Sequence, residues 1–162
     1  MRLRRLEEKD APFMLEWMGE AEIQEIFPTP MAEKGREEVL AFIRQSDIIC
    51  KNGQDMHYAI VDEADEYLGT ISLKNVDLAS RKAEYAISLR KCARGKGIAR
   101  LATEEILRIG FEDCGLERIY LCVLSDNRRA NRFYEKNGFV LEGEFRKHVL
   151  LNGAYHNMKW YS

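Results

Sequence analysis

The sequence predicts an α/β fold, a mixed sheet with helices on both faces, and three observations carry that expectation. The apolar patterning runs β-α-α-β-β-β-α-β-α-β-β, with strands early and helices interspersed later. Ile119–Leu124 is a short continuous apolar run, as expected for a strand covered on both faces. Near the end, Asn152-Gly153 separates two strand-like runs, a strong hairpin signal. A chain of 162 residues with no repeat, low-complexity tract or linker reads as one domain over 1–162.

Each element has a local reason. Arg2–Arg5 reads as a short strand. Asp10-Ala-Pro12 places a cap residue before a first-turn proline and opens a helix through Phe13, Leu15, Trp17 and Met18. Glu20–Phe27 reads as a short second helix stopped by Pro28-Thr-Pro30. Glu33–Gln45 is amphipathic, with Val39, Leu40, Phe42 and Ile43 apolar. Three strand-like runs follow, His57–Asp62, Tyr67–Val76 and Lys82–Leu89, the first two joined by the polar turn 62–66. Ile98, Leu101, Ala102, Ile106 and Ile109 then have helical spacing up to about Asp113, and Gly115 is a plausible stop. After the Ile119 run, Ser125 or Asp126 is expected to cap a helix whose Ala130, Phe133, Tyr134 and Asn137 share one face. Gly138 ends that helix, and Val140–Leu151 and Ala154–Tyr161 form the final hairpin.

The composition excludes several classes. With 46% hydrophobic and 32% charged residues the chain can bury a core, and a net charge of -2 does not suit a general nucleic-acid binder. The N-terminus has no apolar signal core, and no run approaches the ~18 apolar residues of a membrane span. Cys50, Cys92, Cys114 and Cys122 are scattered, form no CxxC pair and complete no metal pattern with the three histidines. They read as free thiols in a reducing cytosol, which makes the expected location cytoplasmic.

Charge is uneven. From Glu7 to Glu38 ten acids stand against Lys9, Lys34 and Arg36. From Arg90 to Arg100 there are five bases and no acid. Solvated helix faces account for the acidic stretch; a cation-attracting substrate side is the sharper alternative. The basic stretch coincides with the turn Arg94-Gly95-Lys96-Gly97-Ile98-Ala99, between a strand and a helix. Two glycines let the backbone approach a ligand, and a helix starting there aims free N–H groups at the turn. The natural guest is a phosphate. A Walker loop fails because Ile98 follows Gly97, and a dinucleotide fingerprint fails at Arg100. A phosphate cradle flanked by Arg94, Lys96 and Arg100 remains.

This segment resembles the acyl-CoA signature of the GCN5-related N-acetyltransferases (GNAT), Gln/Arg-x-x-Gly-x-Gly/Ala, with Arg94, Gly97 and Ala99 in the fixed positions. Asn127, Ala130, Tyr134, Gly138 and Phe139 resemble the superfamily's second signature, about thirty residues on. The run from Glu142 to Arg146, with Gly153, Tyr155 and Asn157, is similar to the branch holding ribosomal-protein N-terminal, polyamine and nucleotide-amino-sugar acetyltransferases. The resemblance implies a mostly antiparallel sheet whose parallel strands splay at the cofactor, and an acetyl-CoA-dependent N-acetyltransferase domain. It implies that Ile87, Ser88 and Leu89 bond the pantetheine arm through strand backbone. Arg94, Gly95, Lys96, Gly97, Ile98 and Ala99 would take the pyrophosphate, Asn127 would bond the arm, and Tyr134 would protonate the leaving thiolate.

Acetyl transfer to an amine needs a neutral amine, a polarised carbonyl and a proton for the departing sulfur. Glu84, on the strand leading into the turn, is the best general-base candidate, ahead of His57 and His148, and a water relay is a further alternative. In the resemblance, the N-terminal-amine acetyltransferases often carry a glutamate on the strand before the second signature, and the comparable position here, near Cys122, is not acidic. That departure favours a small-molecule primary amine, such as an amino sugar or polyamine, over a protein N-terminus. A peptide N-terminal acetyltransferase and a non-catalytic acyl-CoA-binding module remain the alternatives. No metal, nucleic-acid or membrane partner is expected, and the oligomeric state, a homodimer included, stays open.

Overall fold

The computed structural model describes residues 1–26, 31–50 and 53–162. In chain order its elements are β1 (Arg2–Arg5), α1 (Ala11–Met18), α2 (Ala21–Ile26), α3 (Arg36–Gln45), β2 (Met56–Val61), β3 (Tyr67–Asp77) and β4 (Lys82–Leu89). There follow α4 (Ile98–Arg108), β5 (Arg118–Leu124), α5 (Arg128–Lys136), β6 (Leu141–Leu151) and β7 (Ala154–Tyr161). The strands form one sheet in the order β1-β2-β3-β4-β5-β7-β6. Every pairing is antiparallel except β4 with β5. A parallel pair needs a crossover of a dozen or more residues, and α4 supplies it. The expected mixed sheet, mostly antiparallel with helices on both faces, is the observed architecture.

Period-2 alternation divides the strands between two cores. Ile60, Ile71, Leu73, Tyr85 and Leu121 face α4, packing with Ala102 and Ile106. Ala59, Val61 and Tyr67 face the other way, onto Met14 and Trp17 of α1 and Leu40 and Ile43 of α3. The polar turn after β2 is held by the Asp62 carboxylate, which accepts from the N–H groups of Ala64 and Glu66, each at 2.9 Å. The final hairpin turns at Asn152 and Gly153, with φ of 48° and 77°, as a two-residue primed turn requires.

Several local expectations are corrected. Asp10 does not cap α1 with its side chain. It is buried and accepts two 2.8 Å hydrogen bonds from the Arg4 guanidinium and one of 2.9 Å from the Glu7 N–H. A buried carboxylate needs a charged partner, and Arg4 is within reach. The cap of α5 is Asn127, whose side chain accepts from the Ala130 N–H at 3.1 Å, not Ser125 or Asp126. β5 is covered on one face only: Ile119, Leu121 and Val123 are buried while Tyr120 and Cys122 are half-buried. α4 runs on through a π-helical turn over Ile109–Asp113 before Gly115 turns the chain at φ 65°. The four cysteines are not all free. Cys50 and Cys114 form a disulfide, their Cα atoms 5.5 Å apart, which leaves Cys92 and Cys122 as free thiols. The expected helix stop at Pro28-Thr-Pro30 lies outside the described residues.

Candidate functional site

β4 and β5 are hydrogen-bonded neighbours only at their beginnings. Lys82, Ala83 and Glu84 pair with Arg118, Ile119 and Tyr120, and there the parallel ladder ends. Beyond it, Tyr85 to Leu89 pair with β3 alone, and Leu121 to Leu124 pair with β7. The two strands therefore diverge, and Ile87, Ser88 and Leu89 border the opening with one side of their backbone free of a sheet partner.

The glycine turn stands at the end of β4. Gly95 and Gly97 both have left-handed φ, 75° and 77°, and a Cβ added at either would meet nothing within 4 Å. Glycine is thus required by backbone conformation, and the space above the turn is open. Helix α4 starts at Ile98 with no side-chain cap. Among the described residues, the backbone N–H groups of Gly95 to Arg100 meet no acceptor. Consecutive N–H groups at a helix start form a concavity of positive potential that fits a pyrophosphate.

The flanking cations are arranged differently from the expected cradle. The Arg94 guanidinium turns away from the N–H groups: it donates to the Leu89 carbonyl at 3.0 and 3.1 Å and pairs with Glu20 at 2.6 Å and Glu22 at 3.2 Å. Arg100 pairs with Glu104, one helical turn along. Lys96 is exposed with no ion pair among the described residues. The Arg94 N–H donates to the Lys91 carbonyl at 3.2 Å, so the free donors of the turn begin at Gly95, and the Arg94 side chain ties α2 and the residue before it to the end of β4.

Tyr134, on α5, sits in a ring cluster with Tyr85 at 5.9 Å, Phe133 at 5.5 Å, Phe139 at 5.7 Å and Tyr161 at 6.2 Å. Its hydroxyl meets no hydrogen-bond partner among the described residues. Burial pushes the phenol up to about 12, with a smaller contribution from Cys122. The hydroxyl therefore stays a proton-bearing donor throughout the neutral range. Asn127 spends its carboxamide oxygen on the α5 cap, and its amino group has no acceptor among the described residues.

Glu84 lies at the last rung of the β4–β5 ladder, on the face opposite Tyr85. Its carboxylate accepts from the Asn75 side chain at 2.7 Å, and Lys74 Nζ stands 3.6 Å away. The Cys122 thiol reaches the same carboxylate, Sγ to Oε1 3.8 Å. Burial raises the Cys122 pKa, and the Glu84 charge raises it further, so the thiol is held protonated. A carboxylate thus stands beside position 122, carried by the neighbouring strand β4. His148 belongs instead to a ring stack on the last hairpin, with Phe145 at 5.4 Å and Trp160 at 5.0 Å.

A cavity of about 460 Å³ opens on the same face as Glu84. Met14, Trp17 and Met18 of α1 form one wall, with Met31, Val39 and Phe42 beside them. The floor is β-sheet: His57, Thr70, Ser72, Lys74 and the stretch Ala86 to Ser88. His57 Nδ1 lies 2.8 Å from the Ser72 hydroxyl, and its ring is 4.7 Å from that of Phe42. Burial lowers the His57 pKa, which keeps the imidazole neutral near pH 7. Phe27, the expected end of the second helix, lies outside the described residues.

Three contributors escaped the sequence. Asn75 and Lys74 flank Glu84, but only the β3–β4 register places them there. Buried Asn131 donates to the carbonyls of Leu124 at 3.0 Å and Asn127 at 2.7 Å and accepts from Tyr161 at 2.8 Å. It braces the end of β5 against α5. Its polar identity on an otherwise packed helix face is a signal that could have singled it out.

A family model described as an acetyltransferase (GNAT) domain matches residues 1–140. A putative ribosomal N-acetyltransferase of Bacillus subtilis is 35% identical over 94 residues, 58% of this chain and 51% of the relative. A spermidine N(1)-acetyltransferase of Escherichia coli is 34% identical over 119 residues, 72% of this chain and 64% of the relative. The matches thus span about half to two thirds of these relatives' lengths. Among solved structures, the spermidine N-acetyltransferase of Vibrio cholerae in complex with CoA and spermine superposes with a TM-score of 0.86 at 26% identity, covering 99% of this chain and 92% of that one.

Proposed function

The chain belongs to the GNAT acetyltransferase family, and on that premise we propose that it moves an acetyl group from acetyl-CoA to a primary amine of a small molecule. One observation carries the assignment: an open turn with six backbone N–H groups, Gly95 to Arg100, that meet no acceptor among the described residues, at the end of a strand that has parted from its parallel neighbour. We infer that this turn holds the pyrophosphate and that the backbone of Ile87, Ser88 and Leu89 and the Asn127 amino group hold the pantetheine arm. Bound acetyl-CoA would supply the activated acetyl group.

The chain's own residues have distinct tasks. The cavity delivers the amine to the strand opening. Glu84 takes the proton of the arriving ammonium, and the Asn75 side chain fixes its carboxylate. A strand N–H at the opening polarises the acetyl carbonyl. Tyr134 donates a hydrogen bond to the departing sulfur. With its pKa about 12 and a thiol near 8.5, full transfer of the phenolic proton is uphill, so hydrogen bonding is its main contribution.

Residues 1–162 act as a single acetyltransferase domain in the cytoplasm, where acetyl-CoA is available, with no nucleic-acid or membrane partner; a homodimer is compatible with the fold. No helix among the described residues is long and apolar enough to cross a membrane. The ribosomal relative motivates a second reading, acetylation of a protein N-terminus. Thiol release from acetyl-CoA, followed across small amines, polyamines, amino sugars and peptides, tests both. Turnover with peptides alone selects the second reading. CoA binding with silence across the panel reduces the chain to a binding module.

A further inference from the structure

The cavity beside Glu84 is poor in acids, although the first quarter of the chain is rich in them. Tertiary pairing removes most of those acids from the site. Glu16 is bound to Arg90 at 3.0 Å, Glu20 and Glu22 to Arg94, and Glu8 to Arg44 at 2.7 Å. The ionisable groups on the cavity walls are Lys34, Lys74, Glu38 and His57, and burial keeps His57 neutral. The side chains not described, at 24, 26–30 and 51–52, include no acidic type and one base, Lys51. The remaining lining is methionine, tryptophan, valine, phenylalanine, alanine and isoleucine, with the hydroxyls of Thr70, Ser72 and Ser88 on the sheet side, where Thr70 is bonded to Tyr67 at 2.7 Å and Ser72 to His57 at 2.8 Å.

Resting on the acetyl-transfer reading, we propose that the acceptor is a monoamine with an apolar body, aromatic or branched aliphatic, rather than a polyamine or an amino sugar. The single ammonium would be met by Glu84, which is not itself a lining residue but stands just past Lys74 of the cavity floor, 3.6 Å from its Nζ. Each further ammonium of a polyamine would lie in an apolar cavity with two lysines and one carboxylate, Glu38, for company, and an unpaired charge there is costly to desolvate. A sugar would leave the hydroxyls on one side against Met14, Met18, Val39 and Phe42, which offer no hydrogen bonds, while the Thr70 and Ser72 hydroxyls on the sheet side are already bonded to Tyr67 and His57. An apolar body matches those walls and gains from leaving water.

The test compares 2-phenylethylamine, spermidine and glucosamine as acceptors at saturating acetyl-CoA, with calorimetric binding of each to the CoA-loaded protein. The expected kcat/KM for 2-phenylethylamine exceeds that for spermidine by at least about tenfold. Phe42→Glu, at a wall position 37% exposed and therefore tolerant, should lower the preference for 2-phenylethylamine and raise use of spermidine. Equal or better turnover of spermidine or glucosamine overturns the proposal and leaves acetyl transfer standing. So does an unchanged preference in Phe42→Glu. Binding of 2-phenylethylamine alone, with no acceptor turned over, upholds the cavity assignment and overturns the acetyl-transfer reading. Failure of 2-phenylethylamine both to bind and to react overturns the proposal.

Discussion

Tyr134 and Glu84 belong to different elements, α5 and β4, and each makes a separate prediction. Tyr134→Phe removes one hydroxyl from a ring held by four aromatic neighbours, so the fold should persist. Turnover should fall by roughly 10²-fold, with CoA affinity within about twofold. The raised pKa fixes the pH dependence. The folded phenol keeps its proton up to about 12, so the ratio of wild-type to variant rate should be constant from pH 7 to 10. A ratio that shrinks within that window would remove the hydroxyl from its role. Glu84→Gln keeps the shape and the Asn75 contact but cannot take a proton; kcat/KM should fall by about 10²-fold or more while CoA still binds. Tyr134 was legible because it lies in a signature with fixed spacing. The partners of Glu84 were not, since Asn75, Lys74 and Cys122 come from two other strands and meet it only through register.

At the scale of elements, the turn between β4 and α4 is set by conformation more than by charge. Gly97→Ala places a side chain at φ 77° without a clash, a strain of about 1 kcal/mol. The melting temperature should drop by about 2–4 °C. Binding of CoA should weaken, whereas binding of pantetheine, which lacks the pyrophosphate, should not; equal loss for both would contradict the assignment of the turn. Element boundaries were readable wherever one residue dictates backbone geometry, as at Gly115, Gly138 and Asn152-Gly153. They were misread where several polar residues compete for one N–H. Asn127 caps α5 rather than Ser125 or Asp126, and Asp10 serves Arg4 rather than its own helix.

Across the whole molecule, the Cys50–Cys114 disulfide joins the segment before β2 to the end of the crossover, 64 residues apart in sequence. On a loop-entropy estimate such a link contributes roughly 4 kcal/mol. Thiol titration of the unfolded protein without reductant should count two thiols, Cys92 and Cys122, rising to four after reduction, with a melting temperature lower by about 10 °C. Four thiols at the outset would show the pair to be reduced. The sequence by itself determined the order of elements, the mixed sheet, the glycine turn before α4 and the tyrosine helix, because those follow from periodicity, glycine conformation and fixed local spacing. The tertiary structure alone decided where the charges go. It turned the acids of α1 and α2 onto Arg90 and Arg94, brought Glu84 beside Cys122, paired two distant cysteines and left a largely apolar cavity between α1 and the sheet. The physical reason is that a long charged side chain takes the best partner within reach, and reach is settled only when strands of distant sequence lie side by side.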